Sequence, residues 1–159
     1  MVVRRSVVLV ALFLALFPGI FVTRTAEAAG FGRAGIVVVH GDGSVDTWCV
    51  PLFRARETGL QLLRHSPVRS KIAHFNFGHA LCWLDGEGVK TRSTSRCFSD
   101  PGGNDWGYFT QNRGETAPTF SMIGFDQRVL RRGAIDYWVW GTFPQATPVA
   151  QQLSRICGG

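Results

Sequence analysis

One stretch near the C-terminal end of the chain, GAIDYWVWG at residues 133–141, most constrains the fold. In an extended strand, successive side chains point to opposite faces of the sheet. The odd-numbered positions from 135 to 139 are all apolar or aromatic, and Asp136, Trp138 and Trp140 point the other way. A half-exposed strand is polar on one face. This strand therefore needs cover on both faces, either from the protein itself or from something that it binds.

The first 29 residues are predicted to be a signal peptide. Two arginines precede an apolar run, and an Ala-Glu-Ala end predicts cleavage after Ala28 or Ala29. The uninterrupted apolar run before Pro18 is about 12 residues, shorter than the roughly 20 that a membrane span needs, so a retained anchor is the weaker alternative. We therefore expect residues 30–159 to be secreted or extracytoplasmic, with no membrane span after cleavage.

The remaining chain is short enough for one domain. About 130 residues predict a single core, which we place at about 35–143, followed by a C-terminal tail at 144–159. The formal net charge of the whole chain is +6, and removal of the leader lowers it to about +4. Because the basic residues are scattered, we expect no nucleic-acid partner.

Four cysteines remain after the leader: Cys49, Cys82, Cys97 and Cys157. Outside the cytoplasm an even number favours disulfides, and four cysteines allow three pairings. Cys82 and Cys97 are the nearest pair and would close a loop of about 15 residues. That pairing leaves Cys49 for Cys157, which would hold the tail. No Cys-x-x-Cys or His-x-x-x-His spacing occurs, so no metal site is expected.

The order of elements predicts an α+β domain. Residues 36–50 are predicted to form an N-terminal β-hairpin with a Gly-Asp-Gly-Ser turn. The stretch ETGLQLLRHSP, residues 57–67, is the one convincing helix, with Thr58 as its cap. Several short strands follow, interrupted by a long polar loop at 89–105 and including TFSMIG at 119–124. A hairpin, one short helix and a series of strands favour a β-grasp-like roll stapled by disulfides.

Several spaced motifs carry a family resemblance. After the Gly-Leu-x-Leu-Leu helix come LCWLDGEG, RCF, WGYF, MIGFDQRVL and RGAIDYWVWG, in that order. In these motifs the chain resembles small exported bacterial domains related to the C-terminal domain of the cobalamin carriers transcobalamin and intrinsic factor. The resemblance covers about residues 35–143. It implies a β-grasp-like fold and contact with one face of the corrin, beside a large helical domain that this stretch does not contain.

The resemblance implies an exported, non-catalytic binding module for a cobalamin-like or other flat amphipathic ligand. A transporter or partner protein at the cell envelope would supply the other half of the site. The implied ligand contacts are Trp106, Tyr108, Asp136, Trp138 and Trp140.

The same residues have structural interpretations. Core packing is the favoured role of the tryptophans and Tyr108, and an aspartate such as Asp136 more often accepts hydrogen bonds from turn N–H groups. Among the histidines, His79 is the nearest to a plausible ligand of a bound cobalt or haem iron, although we expect none to bind one. The alternative functions are a cell-envelope protein-interaction domain and a carbohydrate-binding module with stacked indoles.

An enzymatic function is not expected. No Gly-x-Ser-x-Gly, His-Glu-x-x-His or phosphate-loop pattern occurs in the sequence. If all four cysteines form disulfides, no thiol nucleophile remains.

Overall fold

The computed structural model describes residues 30–158, and the predicted signal peptide at 1–29 lies outside the described residues. Within this range strands outnumber helices, and a 3₁₀ helix lies at Thr94–Arg96. The elements in chain order are β1 (Arg33–Val39), β2 (Val45–Pro51), β3 (Glu57–Thr58), α1 (Gly59–His65), β4 (Ser70–Phe75), β5 (Gly78–Leu84), β6 (Glu87–Gly88), β7 (Asn104–Gln111), β8 (Thr119–Phe120), β9 (Val129–Leu130), β10 (Ile135–Thr142) and α2 (Leu153–Cys157).

The main sheet has five strands in the order β2-β1-β10-β7-β8. Strand β10 pairs parallel with β1 and antiparallel with β7, and the register aligns Trp138 with Val38 on one side and with Tyr108 on the other. An N-terminal hairpin, a helix, and a last strand that lies parallel to the first make a β-grasp-like arrangement. The predicted α+β fold class is confirmed.

Helix α1 begins where the sequence predicts. The Thr58 hydroxyl accepts a hydrogen bond from the Gln61 N–H, and the Gln61 side chain accepts one from the Thr58 N–H. This reciprocal capping box satisfies two backbone donors that the first turn leaves unpaired. The helix has only seven residues, and an isolated helix of this length is unstable in water. Burial of Leu60, Leu62 and Leu63 against the sheet therefore holds it in place.

The two faces of β10 are covered by different parts of the chain. On one face, Trp138 packs in the main core with the leucines of α1 and with Ile36 and Val38. On the other, Ile135 and Tyr137 pack with Val37, and residues of α2 lie over them. Central strands buried on both faces are apolar on both faces. The protein's own two helices thus supply most of the cover that this strand needs.

The C-terminal tail forms a helix that covers part of the main sheet, which the sequence does not indicate. The sequence predicts no regular structure after residue 144, but α2 places Leu153 and Ile156 on the second face of the main sheet. A Cβ atom on Gly35 would lie 3.0 Å from Ile156 Cδ1, so the tail approaches β1 closely at this glycine. Of the two sources of cover that the sequence leaves open, the protein itself therefore covers this second face of β10.

Two disulfides hold the domain together. Cys82 pairs with Cys97 across 15 residues, and Cys49 pairs with Cys157 across 108 residues. These are the pairings that the sequence favours, and the second one fastens α2 to β2. Disulfides are typical of proteins outside the reducing cytoplasm. Between residues 30 and 158, neither helix has the length or the apolar character to cross a membrane.

A second sheet, β4-β5-β6, lies beside the main sheet. Leu81 and Leu84 of β5 join the main core, and Cys82 and Cys97 form a smaller apolar cluster with Ala73. Strand β5 thus carries one disulfide and also reaches the core. The start of β5 lies next to the candidate site described below.

Candidate functional site

A surface cleft of about 280 Å³ opens between the main sheet and the start of β5. Three of the five predicted contact residues, Trp106, Tyr108 and Trp138, line it. The loop at 121–125 forms one wall, and residues 79–81 form another. We call this hollow the aromatic cleft.

Trp106, Tyr108 and Trp138 form the aromatic floor of this cleft, and the rings of Tyr108 and Trp138 are in contact with each other. The rings of Tyr108 and Trp138 lie 4.6 Å apart between centroids, and the ring of Phe125 meets Trp138 edge-on at 4.9 Å. Trp138 is only 3% exposed, so little of its ring is open to the cleft. Tyr108, Trp138 and Phe125 therefore belong to the hydrophobic core and also line the cleft.

The rim of the aromatic cleft is apolar and strongly exposed. Met122 is 90% exposed and Ile123 is 52% exposed, and both lie on the loop that forms one wall. Phe98 and Phe120 complete the rim and are also exposed. Large apolar side chains grouped at the mouth of a hollow are typical of ligand or partner sites.

Asp105 and His79 are the acidic and basic side chains that line the aromatic cleft. Partial burial raises the pKa of Asp105, although the hydrogen bond from the Trp106 N–H opposes this shift. His79 is held by Asp126, whose Oδ2 lies 2.9 Å from the His79 Nδ1 and accepts a hydrogen bond from the His79 N–H at 3.0 Å. The site thus combines an aromatic floor with a few fixed polar groups.

Asp136 does not line the aromatic cleft, contrary to its predicted role as a ligand contact. It is 1% exposed, and both of its oxygens are occupied. Its Oδ2 accepts the Tyr108 hydroxyl at 2.6 Å, and its Oδ1 accepts Arg128 Nε at 3.0 Å. Burial raises the pKa of Asp136, and the Arg128 charge opposes the shift. Asp136 is therefore a structural acceptor that orients Tyr108.

Trp140 also lies outside the lining of the aromatic cleft. Its ring packs at a tilt against that of Trp106, with centroids 5.1 Å apart, and it lies against the β1–β2 turn at Gly41, where an added Cβ would be 3.1 Å from Trp140 Cδ1. The Nε1 of Trp106 is buried and has no hydrogen-bond partner within residues 30–158. A Cβ on Gly88 would lie 3.0 Å from this nitrogen, so it points toward β6. Trp140 therefore packs against Trp106 without lining the cleft itself.

The apolar rim does not follow from the sequence. The pattern predicts a strand over residues 119–124, whereas β8 contains only Thr119 and Phe120 and the next four residues form a loop. The sequence does contain an indication of an apolar loop, because Met122 and Ile123 lie between Ser121 and Gly124. Residues at loop positions are usually polar or small. An apolar pair in a predicted turn would have indicated an exposed contact surface.

Potential metal ligands converge at one place in the described part of the chain, away from the aromatic cleft. The ligand atoms of His40, Asp46 and Asp85 all lie within 4.8 Å of one another. These residues surround the end of the N-terminal hairpin, and none of them was expected from the sequence to bind a metal.

Comparison with models of protein families and with curated proteins finds no match to this chain. Among solved structures, the chain is similar to a crystal structure from Ruminococcus gnavus ATCC 29149, described as "a putative metal binding protein". The TM-score is 0.50 and the sequence identity is 16%, over 70% of this chain and 97% of that chain. At this identity the similarity supports the fold and carries no function across.

Proposed function

We propose that this protein is an exported binding module that holds part of a flat, amphipathic ligand in the aromatic cleft. The observation that carries this proposal is the combination of an aromatic floor with exposed Met122 and Ile123 at its mouth. Ligand pockets are mainly apolar with a few placed polar groups, and Asp105 and His79 provide such groups here. The two disulfides suit an extracytoplasmic location.

A cobalamin-like molecule is the first ligand to test. The resemblance to the corrin-contacting domain of cobalamin carriers supports it, and a corrin presents a flat apolar edge with amide substituents. The cleft volume of about 280 Å³ lies at the lower limit of small-molecule pockets. It accommodates an edge of such a ligand and leaves the rest for a transporter or partner protein to cover.

The direct experiment is titration of the purified domain with cobalamin and with cobinamide, followed by Trp fluorescence and corrin absorbance. We expect saturable quenching, because Trp106 and Trp138 lie in the floor of the cleft. Met122→Asp and Ile123→Asp place charges on the exposed rim without changing the core, and each should weaken binding by about tenfold or more. Val149→Asp is the matched control, because Val149 is 80% exposed and lies outside the cleft lining.

No spectral change at high micromolar corrin would count against a corrin ligand. Equal binding by the rim variants and the control would place the ligand elsewhere on the protein. The first result would remove cobalamin as the ligand, and the second would remove the argument for this cleft.

A cell-envelope protein partner is the second candidate, and one further observation favours it. The apolar rim continues beyond the cleft, because the ring of Phe75 lies 5.5 Å from Phe98 and 4.8 Å from the exposed Phe77. A surface that extends past a small hollow fits a protein better than a small molecule. Phe77→Ser should reduce partner capture from envelope extracts while leaving corrin binding unchanged.

A carbohydrate-binding module has less support. Stacking on a sugar ring needs an open indole face, and Trp138 is almost wholly buried. Retention on insoluble polysaccharide that is lost on Trp106→Ala but kept in Met122→Asp would favour this function over the first.

A further inference from the structure

We propose that His40, Asp46 and Asp85 form a binding site for a divalent transition-metal ion such as Zn²⁺. The three residues come from different parts of the fold: His40 follows β1, Asp46 lies on β2, and Asp85 lies in the turn between β5 and β6. Their ligand atoms all lie within 4.8 Å of one another. The spacing in the sequence does not indicate this group, because Asp46 and Asp85 are 39 positions apart.

The geometry is close to that of an occupied site. The Nε2 of His40 lies 3.0 Å from Asp46 Oδ2. Ligand atoms bound at about 2.0–2.2 Å from a metal lie roughly 3–4 Å from one another. The wider separations in this group, which reach at most 4.8 Å, would therefore shorten only slightly when an ion binds. The Asp46 side chain is largely exposed, and the Asp85 carboxylate makes no hydrogen bond or ion pair with residues 30–158. Both carboxylates can therefore turn toward an ion.

The His40 ring is already oriented by a residue outside the ligand group. Glu87 Oε2 lies 3.1 Å from His40 Nδ1, and the same carboxylate accepts the Gly41 N–H at 3.0 Å and 3.2 Å. Both ring nitrogens of His40 face a carboxylate, because Asp46 Oδ2 lies 3.0 Å from Nε2. A metal ion bound at Nε2 would take the place of the hydrogen shared with Asp46, while Nδ1 keeps its hydrogen and donates it to Glu87. Metal-binding histidines commonly have such a carboxylate on their second nitrogen. Glu87 is thus a positioning residue.

The local charge also favours a cation. Three carboxylates, those of Asp46, Asp85 and Glu87, surround a single imidazole. Within the described part of the chain, no Lys or Arg forms an ion pair with any of them. One imidazole nitrogen with two carboxylate oxygens suits borderline ions such as Zn²⁺ better than Mg²⁺ or Ca²⁺, which prefer oxygen ligands alone. A bound ion would connect the N-terminal hairpin of the main sheet to the turn at the end of β5.

The test uses the full mature chain without an affinity tag, in non-reducing buffer so that both disulfides stay closed. The protein is stripped with EDTA, dialysed, and titrated with Zn²⁺ by calorimetry. We expect one ion per chain, a micromolar or tighter dissociation constant, and a rise in Tm at saturating Zn²⁺. His40→Ala and Asp85→Asn should each weaken binding by about tenfold or more.

Matched controls separate this site from general surface binding. Asp42→Asn removes a carboxylate on the same hairpin that is engaged by Ser44 instead, and His74→Ala removes an exposed histidine on β4. Both should bind Zn²⁺ within twofold of the unaltered protein. Because Asp85 has no side-chain partner to lose, Asp85→Asn should keep the far-ultraviolet circular dichroism spectrum and the Tm of the metal-free protein.

Titration with Co²⁺ gives a second readout, since coordination by one nitrogen and two carboxylates shifts its visible absorption away from that of the hydrated ion. Absence of Zn²⁺ binding at about 100 µM, or equal binding by His40→Ala and Asp85→Asn, would overturn the site. Loss of binding in His74→Ala alone would place the ion at another histidine and would also overturn it. None of these outcomes bears on the aromatic cleft.

Discussion

Tyr108 donates its hydroxyl hydrogen to Asp136 across 2.6 Å, between two neighbouring strands and away from solvent. The same carboxylate accepts Arg128 Nε on its other oxygen, and Arg128 in turn donates to the Asn112 side chain at 3.2 Å. A buried carboxylate is tolerated only when it is paired and hydrogen-bonded. This network therefore fixes the position of the Tyr108 side chain in the floor of the aromatic cleft.

Tyr108→Phe should destabilise the domain by about 1–3 kcal/mol, because it leaves one oxygen of the buried Asp136 without its donor. Urea unfolding of the variant measures this change. Asp136→Asn and the double variant complete a double-mutant cycle, and a coupling free energy well above zero is expected for groups in direct contact. Additive effects of the two changes would show that the hydrogen bond contributes little.

Gly59→Ala should also destabilise the domain, although alanine is the better helix former by about 1 kcal/mol. An added Cβ would lie 2.7 Å from the Tyr108 hydroxyl and 2.8 Å from both Asp136 Oδ2 and the Phe125 carbonyl oxygen. Overpacking of this kind costs about 1–3 kcal/mol. Arg64→Ala, at an exposed position of the same helix, should change the free energy of unfolding by less than about 0.5 kcal/mol. A Gly59→Ala protein as stable as the original would contradict the close contact.

Replacement of Cys49 and Cys157 by serine should lower the free energy of unfolding more than replacement of Cys82 and Cys97. The first bond closes a loop of 108 residues and the second a loop of 15, which correspond to about 4.7 and 3 kcal/mol in the chain-entropy model. The first change also frees α2 from the sheet. Faster trypsin cleavage after Arg155 in the folded variant would be a second sign of this release.

Asp126→Asn should destabilise the domain in a pH-dependent way. Partial burial opposes ionisation of Asp126, but the hydrogen bonds from His79 outweigh it and hold the pKa of Asp126 below its ordinary value of 3.8. A lowered pKa in the folded state gives stability that is present above the unfolded pKa and is lost as the pH falls through the folded one. The stability difference between the two proteins should therefore be constant near neutral pH and disappear as the pH falls below 3.8. A difference that persists in strong acid would exclude these hydrogen bonds to the Asp126 carboxylate as its source.

Local patterns predicted the local structure well. The Thr58 cap and the leucines of α1 are close in the chain, so the capping box and the buried face of the helix follow from side-chain chemistry within a few residues. The turn residues of the first hairpin likewise determine its pairing. Neither prediction requires knowledge of distant parts of the chain.

The roles of the five predicted contact residues depended on distant partners. Alternation along β10 placed Asp136, Trp138 and Trp140 on one face, and no local signal distinguishes them. Only Trp138 reaches the aromatic cleft, because Arg128 and Tyr108 enclose Asp136 while Trp140 packs on Trp106 and Gly41. The ligand function assigned to these residues remains a prediction.

The sequence by itself determined the α+β class, the start of α1, the first hairpin and the preferred disulfide pairing, since these follow from short-range hydrogen bonding, side-chain periodicity and cysteine spacing. Only the tertiary structure decided what covers the second face of β10 and which groups meet at His40. Both depend on segments far apart in the chain, brought together by the free energy of burying apolar surface from many residues at once. No local pattern contains that information, and for this reason the tail helix and the rim loop were not foreseen.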